Sequence, residues 1–248
     1  LSAVKDFGKV CVNAIDYCDI QVFSTALYRT MALTGKRFMF RTAAGLVKVM
    51  GGITDQPLLT RDDMIVQPTE LGGIVVVGSH TQKTTDQLAE LLTLPQVVPV
   101  EFNSNLVLEG DEPFYREVDR CVAEAEKIMR SGKTAVCFTN RKLISLENDT
   151  KESALIRSVK ISDGVQSLVG RLGITPAFVM AKGGITSSDV GTKALQVKRA
   201  NVLGQIQPSI PVWQTGEESK FPQIPYVIFP GNTGNVETLR ICVEILTA

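Results

Sequence analysis

Residues 72–102, "GGIVVVGSHTQKTTDQLAELLTLPQVVPVEF", decide the fold. "GIVVVG" (73–78) is a short run of β-branched residues between glycines. It reads as a strand. "TTDQLAELLTL" (84–94) reads as a helix. "QVVPVEF" (96–102) returns to β-branched residues and reads as a second strand. A strand, a helix and a strand within about thirty residues form a βαβ unit, whose strands lie parallel.

The same alternation continues outward. "PFYREVDRCVAEAEKIMRSG" (113–132) predicts a long amphipathic helix closed by Gly132, and "KTAVCF" (133–138) a strand. "ALIRSVKISDGVQSLVGRLG" (154–173), "SSDVGTKALQV" (187–197) and "NVETLRICVEIL" (235–246) read as helices. "PAFVMA" (176–181), "ANVLGQI" (200–206), "IPVWQ" (210–214) and "PYVIF" (225–229) read as strands. The expected fold class is α/β: a mostly parallel sheet with helices on both faces, in three α/β/α layers. Upstream, "KVCVNAI" (9–15) and "KRFMF" (36–40) read as strands. Between them Ile20, Phe23, Leu27 and Met31 keep helical spacing, with Asp16 and Asp19 as caps and Gly35 as the stop. "AAGLVKVM" (43–50) reads as a short helix. "ITDQPLLTRDDMIVQPTE" (53–70) has two prolines and little periodicity, so it reads as a connection. The expected division is a partial smaller lobe with its connector at 1–70 and a second domain at 71–248.

Composition excludes several functions. The 248 residues carry 26 Lys and Arg against 26 Asp and Glu, so nothing favours nucleic acid or an acidic membrane. No apolar run is long enough to span a bilayer. The five cysteines (11, 18, 121, 137, 242) include no CxxC pair, which indicates neither zinc nor a disulfide framework. A reducing cytoplasm is the expected compartment. The chain opens at Leu1 without a signal-peptide pattern.

In open α/β sheets ligands bind outside the carboxyl ends of strands. Three strand exits share one chemistry: "GSHTQKTTDQ" (78–87), "KGGITSSD" (182–189) and "PGNTGN" (230–235). Each joins glycine to Ser, Thr or Asn and then enters a helix. Glycine admits a ligand close to the backbone, while amides and hydroxyls supply donors. The exit of "KTAVCF", "TNRKLI" (139–144), has no glycine and serves as the contrast. Three such junctions point to a nucleotide or sugar phosphate; each alone reads as a capped turn. "MRSGKTAV" (129–136) is not a Walker loop, because residue 127 is Lys and a helix precedes it. No strand is followed by GxGxxG, which argues against a dehydrogenase.

His80, the only histidine, has no triad partner visible in the sequence and reads as a loop residue near any ligand. Lys182 reads first as a solvated lysine and second as a phosphate contact. Asp189 reads as a first-turn helix charge, with Mg2+ through water as the alternative. Asp62 and Asp63 read as a solvated turn. Trp213, the only Trp, packs either on the core or on an adenine.

"GGIVVVGSHTQKTTDQL", "VMAKGGITSSDVGTKALQVKRANVLGQIQPSIPVW" and "PQIPYVIFPGNTGN" resemble, in that order, the nucleotide-binding half of the four-carbon acid sugar kinases. "VNAIDYCDIQVFSTAL…GKRFMFRTAAGLV" is similar to the end of that family's substrate-binding half. The resemblance implies ATP-dependent phosphorylation of the terminal hydroxyl of a tetronate, with Mg2+. It implies ATP contacts at Ser79, His80 and Thr81, at Gly183, Gly184, Ile185 and Thr186, and at Gly231 and Asn232. The family's Asp-Asp-Phe-Thr-Gly-Ala segment, expected to serve substrate and catalysis, has no counterpart here; "TRDDMI" (60–65) does not match it. The chain therefore reads as a C-terminal piece of a longer kinase, as a homo-oligomer or fused to other metabolic domains, with its catalytic residue unassigned. The competing class is a non-catalytic module that binds a nucleotide or phosphosugar.

Overall fold

A computed structural model describes residues 1–142, 144 and 149–248. Leu143, within the contrasting exit 139–144, lies outside the described residues. The chain divides into two compact units, Leu1–Pro57 and Leu58–Ala248.

In the first unit, helix α1 (Tyr17–Thr34) starts at a capping box. Asp16 accepts from the amides of Cys18 and Asp19, and Asp19 accepts from that of Asp16. Gly35, at φ 67°, closes the helix and donates to Met31 O, as a left-handed terminator does. Helix α2 (Ala44–Met50) lies beside it, and Tyr28 donates to Met50 O at 2.8 Å. The strands expected at 9–15 and 36–40 do not form. A strand needs a ladder partner, and none pairs with these segments among the described residues. Their alternation leaves Ile15 and Met39 fully exposed.

The second unit is the βαβ architecture. After a short helix α3 (Arg61–Met64) come β1 (Ile74–Val77), α4 (Gln82–Leu91), β2 (Val97–Phe102), α5 (Asp111–Arg130), β3 (Thr134–Thr139) and α6 (Lys151–Gly170). β4 (Val179–Lys182), α7 (Gly184–Asp189), β5 (Ala200–Gln207), β6 (Ile210–Thr215), β7 (Pro225–Phe229) and α8 (Thr238–Thr247) follow. The seven strands form one sheet in the order β2-β3-β1-β4-β7-β6-β5. β2, β3, β1, β4 and β7 run parallel; β6 and β5 add on antiparallel. Pro99, which cannot donate to a ladder, sits on β2 at the sheet edge.

Two apolar layers cover the sheet. Ile74 and Val76 face one layer with Phe114, Val118 and Cys121 of α5 and Leu168 of α6. Val75 and Val77 face the other with Leu88 and Leu91 of α4 and Leu239 and Val243 of α8. Strand β1, buried at every residue, is thus apolar on both sides. Gly132, at φ 76°, follows α5 as a helix stop, which is the role expected once the Walker reading is discarded.

Packing here leaves no room for growth. A Cβ on Gly73 would fall 2.3 Å from the Phe178 ring. Gly73→Ala is expected to destabilise the fold by about 1–3 kcal/mol, read as a lowered melting temperature; an unchanged melt would contradict this packing.

Candidate functional site

β1, β4 and β7 are neighbours in the sheet, so their carboxyl ends open on one edge. The chain leaves β1 towards β2 on one side and leaves β4 towards β5 on the other. The sheet order therefore reverses between β1 and β4, which makes a crevice at their carboxyl ends. Ser79 and Gly183 flank it: a Cβ on Gly183 would lie 3.4 Å from Ser79 Cβ. A Cβ on Gly78 would lie 2.3 Å from Thr186 Oγ1, so only glycine lets the two loops approach this closely. Gly231 joins from the next strand, its missing Cβ 4.0 Å from Gly183 Cα.

Each loop has its own local cause. Gly183 has φ 122°, a conformation that side chains rarely adopt, and releases the chain from β4 into α7. Helix α7 begins at Gly184, three residues before the Ser-Ser pair from which the sequence predicted it, and passes into a π-helical turn at Val190–Ala194. Ser187 N donates to Gly183 O, closing the first turn. Ser187 also donates to Ala181 O, and the buried Tyr226 hydroxyl to Ser187 O. Gly184 has no atom within 4 Å of where a Cβ would stand, and Ile185 projects into solvent at 74% exposure.

After β1, Thr81 caps α4 by accepting from Thr84 N. Thr84 donates to Ser79 Oγ at 3.2 Å, which fixes that hydroxyl from below. His80 Nε2 lies 3.2 Å from Thr139 Oγ1. Burial first, and the Arg141 charge second, hold its pKa below the usual value. After β7, Lys83 reaches across to Asn232 O and Gly234 O, and Gln87 donates to Thr233 O and Asn235 O. Helix α4 thereby ties the β7 exit to the β1 exit.

Lys182 corrects an expectation. It is fully buried, not solvated, because it ends a central strand and the β7 exit covers it. Its Nζ donates to Pro230 O at 2.9 Å and Gly231 O at 3.0 Å and lies 4.4 Å above the Phe229 ring. Burial, and secondarily the nearby Lys83, lower its pKa to about 8. No carboxylate pairs with it among the described residues.

Arg141 is the residue that the sequence missed. It lies at the β3 exit, the one junction of the four that has no glycine. Its Nη2 donates to Ser79 O at 2.6 Å and to Thr85 Oγ1 at 3.0 Å. A search for cations beside the glycine loops would have found it.

The remaining candidates have structural partners. Asp189 ends α7 instead of opening it; it accepts from Ser162 at 2.7 Å and pairs with Lys193 at 3.3 Å. Asp63 accepts from Thr60 N and Oγ1, which lowers its pKa and caps α3. Trp213 meets Tyr226 edge-on at 6.3 Å, on the core side. Among the described residues no group of three or more His, Cys, Asp or Glu is placed to hold a metal ion, and no helix is long and apolar enough to cross a membrane.

Residues 74–239 match the family of nucleotide-binding C-terminal domains. No curated protein matches the chain. Among solved structures it is similar to a domain of unknown function (DUF1537) from Bordetella bronchiseptica, described as a domain-swapped dimer with bound citrate. The identity is 20% and the TM-score 0.56, over 94% of this chain and 52% of that one. It is also similar to the "putative tRNA synthase" from Salmonella typhimurium LT2, with 14% identity and a TM-score of 0.62, over 94% and 50%. At these identities the likeness shows the fold, and the chain spans about half the length of either protein.

Proposed function

We propose, since the chain belongs to the family of nucleotide-binding C-terminal domains, that residues 71–248 hold ATP where β1, β4 and β7 end. Residues 1–70 would be the end of a sugar-acid-binding domain with its connector. The module would serve a cytoplasmic kinase that phosphorylates the terminal hydroxyl of a four-carbon sugar acid such as threonate or erythronate. The compartment suits the five free cysteines.

The observation that carries this reading is the convergence of the Ser79, Gly183 and Gly231 loops at the reversal point beside the buried Lys182 ammonium, which pairs with no carboxylate among the described residues. Such a charge is costly unless an anion meets it. In this reading Gly183 and Gly184 leave the phosphates room against the backbone. Ser79, Thr186 and the loop amides would donate to them, and Lys182 would hold the Gly231 loop in place. Phosphoryl transfer asks the protein mainly for positioning and charge neutralisation, and this set of donors fits a polyphosphate. It does not fit Mg2+, because the Asp189 carboxylate is engaged by Ser162 and Lys193. The metal would enter with the nucleotide.

The reading is tested by calorimetric titration with ADP and by a coupled ADP-release assay offering several tetronates. Binding with little or no turnover by this chain is expected, since the acceptor-side Asp motif is absent from its sequence. Failure to bind ADP would overturn the nucleotide reading. Rapid turnover would show that the acceptor-side group has been misplaced.

A further inference from the structure

Arg141 is held rigidly by one side of its guanidinium. Nη2 donates to Ser79 O and to Thr85 Oγ1, and Nε lies 3.3 Å from the same Thr85 hydroxyl. Nη1 is buried and has no hydrogen-bond partner among the described residues. No carboxylate pairs with Arg141 among the described residues. Polar groups buried in a protein nearly always find a partner, and an unpaired guanidinium nitrogen is more costly still. The rest of the guanidinium is committed to the backbone of the Ser79 loop and to Thr85 in the first turn of α4. His80, beside it, has its pKa lowered by burial and by the Arg141 charge, so it is neutral at neutral pH.

We propose that Arg141 binds the nucleotide itself, with Nη1, closed to solvent in the ligand-free chain, uncovered on binding to donate to a phosphate oxygen, so that residues 139–142 add a fourth wall to the site. This rests on the nucleotide reading above and extends it to a residue outside the three glycine loops. Guanidinium suits the role because it stays charged and donates in a fixed plane to phosphate oxygens. The bonds to Ser79 and Thr85 pre-orient that plane, so little freedom is lost on binding.

The test is calorimetry of wild type, Arg141→Ala and Arg141→Lys with ADP and with adenosine. Arg141→Ala is expected to weaken ADP at least tenfold and leave adenosine within twofold. Arg141→Lys, which keeps the charge but loses the fork, is expected to fall between. The slope of log Kd for ADP against log salt should flatten in Arg141→Ala, since one cation–phosphate contact is gone. Unchanged ADP affinity would overturn the proposal. So would equal losses for ADP and adenosine, because Arg141 would then only shape the Ser79 loop. If Arg141→Ala does not fold by circular dichroism, Arg141→Gln carries the same comparison. A wild-type chain that ignores ADP would overturn the nucleotide reading and this proposal together, whereas ADP binding insensitive to Arg141 would overturn this proposal alone.

Discussion

Gly184→Val is expected to abolish nucleotide binding while leaving the fold intact. A Cβ at this position meets no protein atom within 4 Å, and the residue opens α7 at an exposed position. Its backbone is not in the left-handed region; that conformation belongs to Gly183, at φ 122°. Valine in a helix is, if anything, better tolerated than glycine, so the melting temperature without ligand should stay within a few degrees. The space that valine would fill is the space assigned to the phosphates, and a β-branched side chain there cannot move aside. Affinity for ADP should fall by roughly a hundredfold or more, equivalent to about 2.7 kcal/mol of lost ligand stabilisation. Gly183→Ala should behave differently: strain at a positive φ costs of order 1–3 kcal/mol, so it should lose stability as well as affinity. Melts of each variant with and without ADP separate the cases. A Gly184→Val variant that keeps the full wild-type increment from ADP would mean that the glycine serves only the turn.

The second large effect concerns Lys182. Lys182→Met keeps the length and apolar stem of the side chain but removes its charge and its bonds to Pro230 O and Gly231 O. ADP affinity is expected to fall at least tenfold, with a smaller change in stability, because removing an unpaired buried charge offsets part of the lost bonding. The pH dependence follows from the sign of the shift. Burial lowers the pKa of Lys182 to about 8 in the free protein, from 10.5. A bound phosphate favours the ammonium and raises that value. Binding should therefore take up a proton above about pH 8, and affinity should weaken by up to about tenfold per pH unit there. Below pH 8 the lysine is already charged, and this dependence vanishes. In stability the same shift counts against the folded state: the contribution present above pH 10.5 is lost as pH falls towards 8. Titrations in two buffers of different ionisation enthalpy would detect the proton. Equal pH profiles for wild type and Lys182→Met would remove Lys182 from the site.

The parts of this protein legible in its sequence are those where one physical demand dominates. The run "IVVV" (74–77), β-branched and bounded by glycine, reads as a strand and is one, and the glycine-rich exits mark where backbones approach closely. Sheet order is less legible, because alternation of strand and helix gives parallel pairing but not direction. The antiparallel β5–β6 edge turns on Ser209, at φ 65°, which the sequence does not advertise. Residues 9–15 and 36–40 show the opposite failure: their pattern is strand-like, yet pattern without a pairing neighbour yields no ladder. Lys182 and Arg141 were misjudged or missed because burial and pairing are tertiary properties. A lysine ending a central strand is solvated or buried according to what the β7 exit does, some fifty residues later. A search built on glycine could not find an arginine whose value lies in its partners.

The proposed nucleotide site lies where β1, β4 and β7 end. An alternative lies at the opposite ends of those strands, where Pro68, Leu71, Pro176 and Ile224 line a cavity of about 290 Å3. Amide chemical shifts of the 15N-labelled chain, followed during titration with ADP, distinguish the two. The largest changes are expected at Ser79, Gly183–Thr186 and Gly231–Asn232, with residues 65–71 and 223–225 unmoved. Changes centred on residues 65–71 and 223–225, with the three loops silent, would contradict that placement of the site.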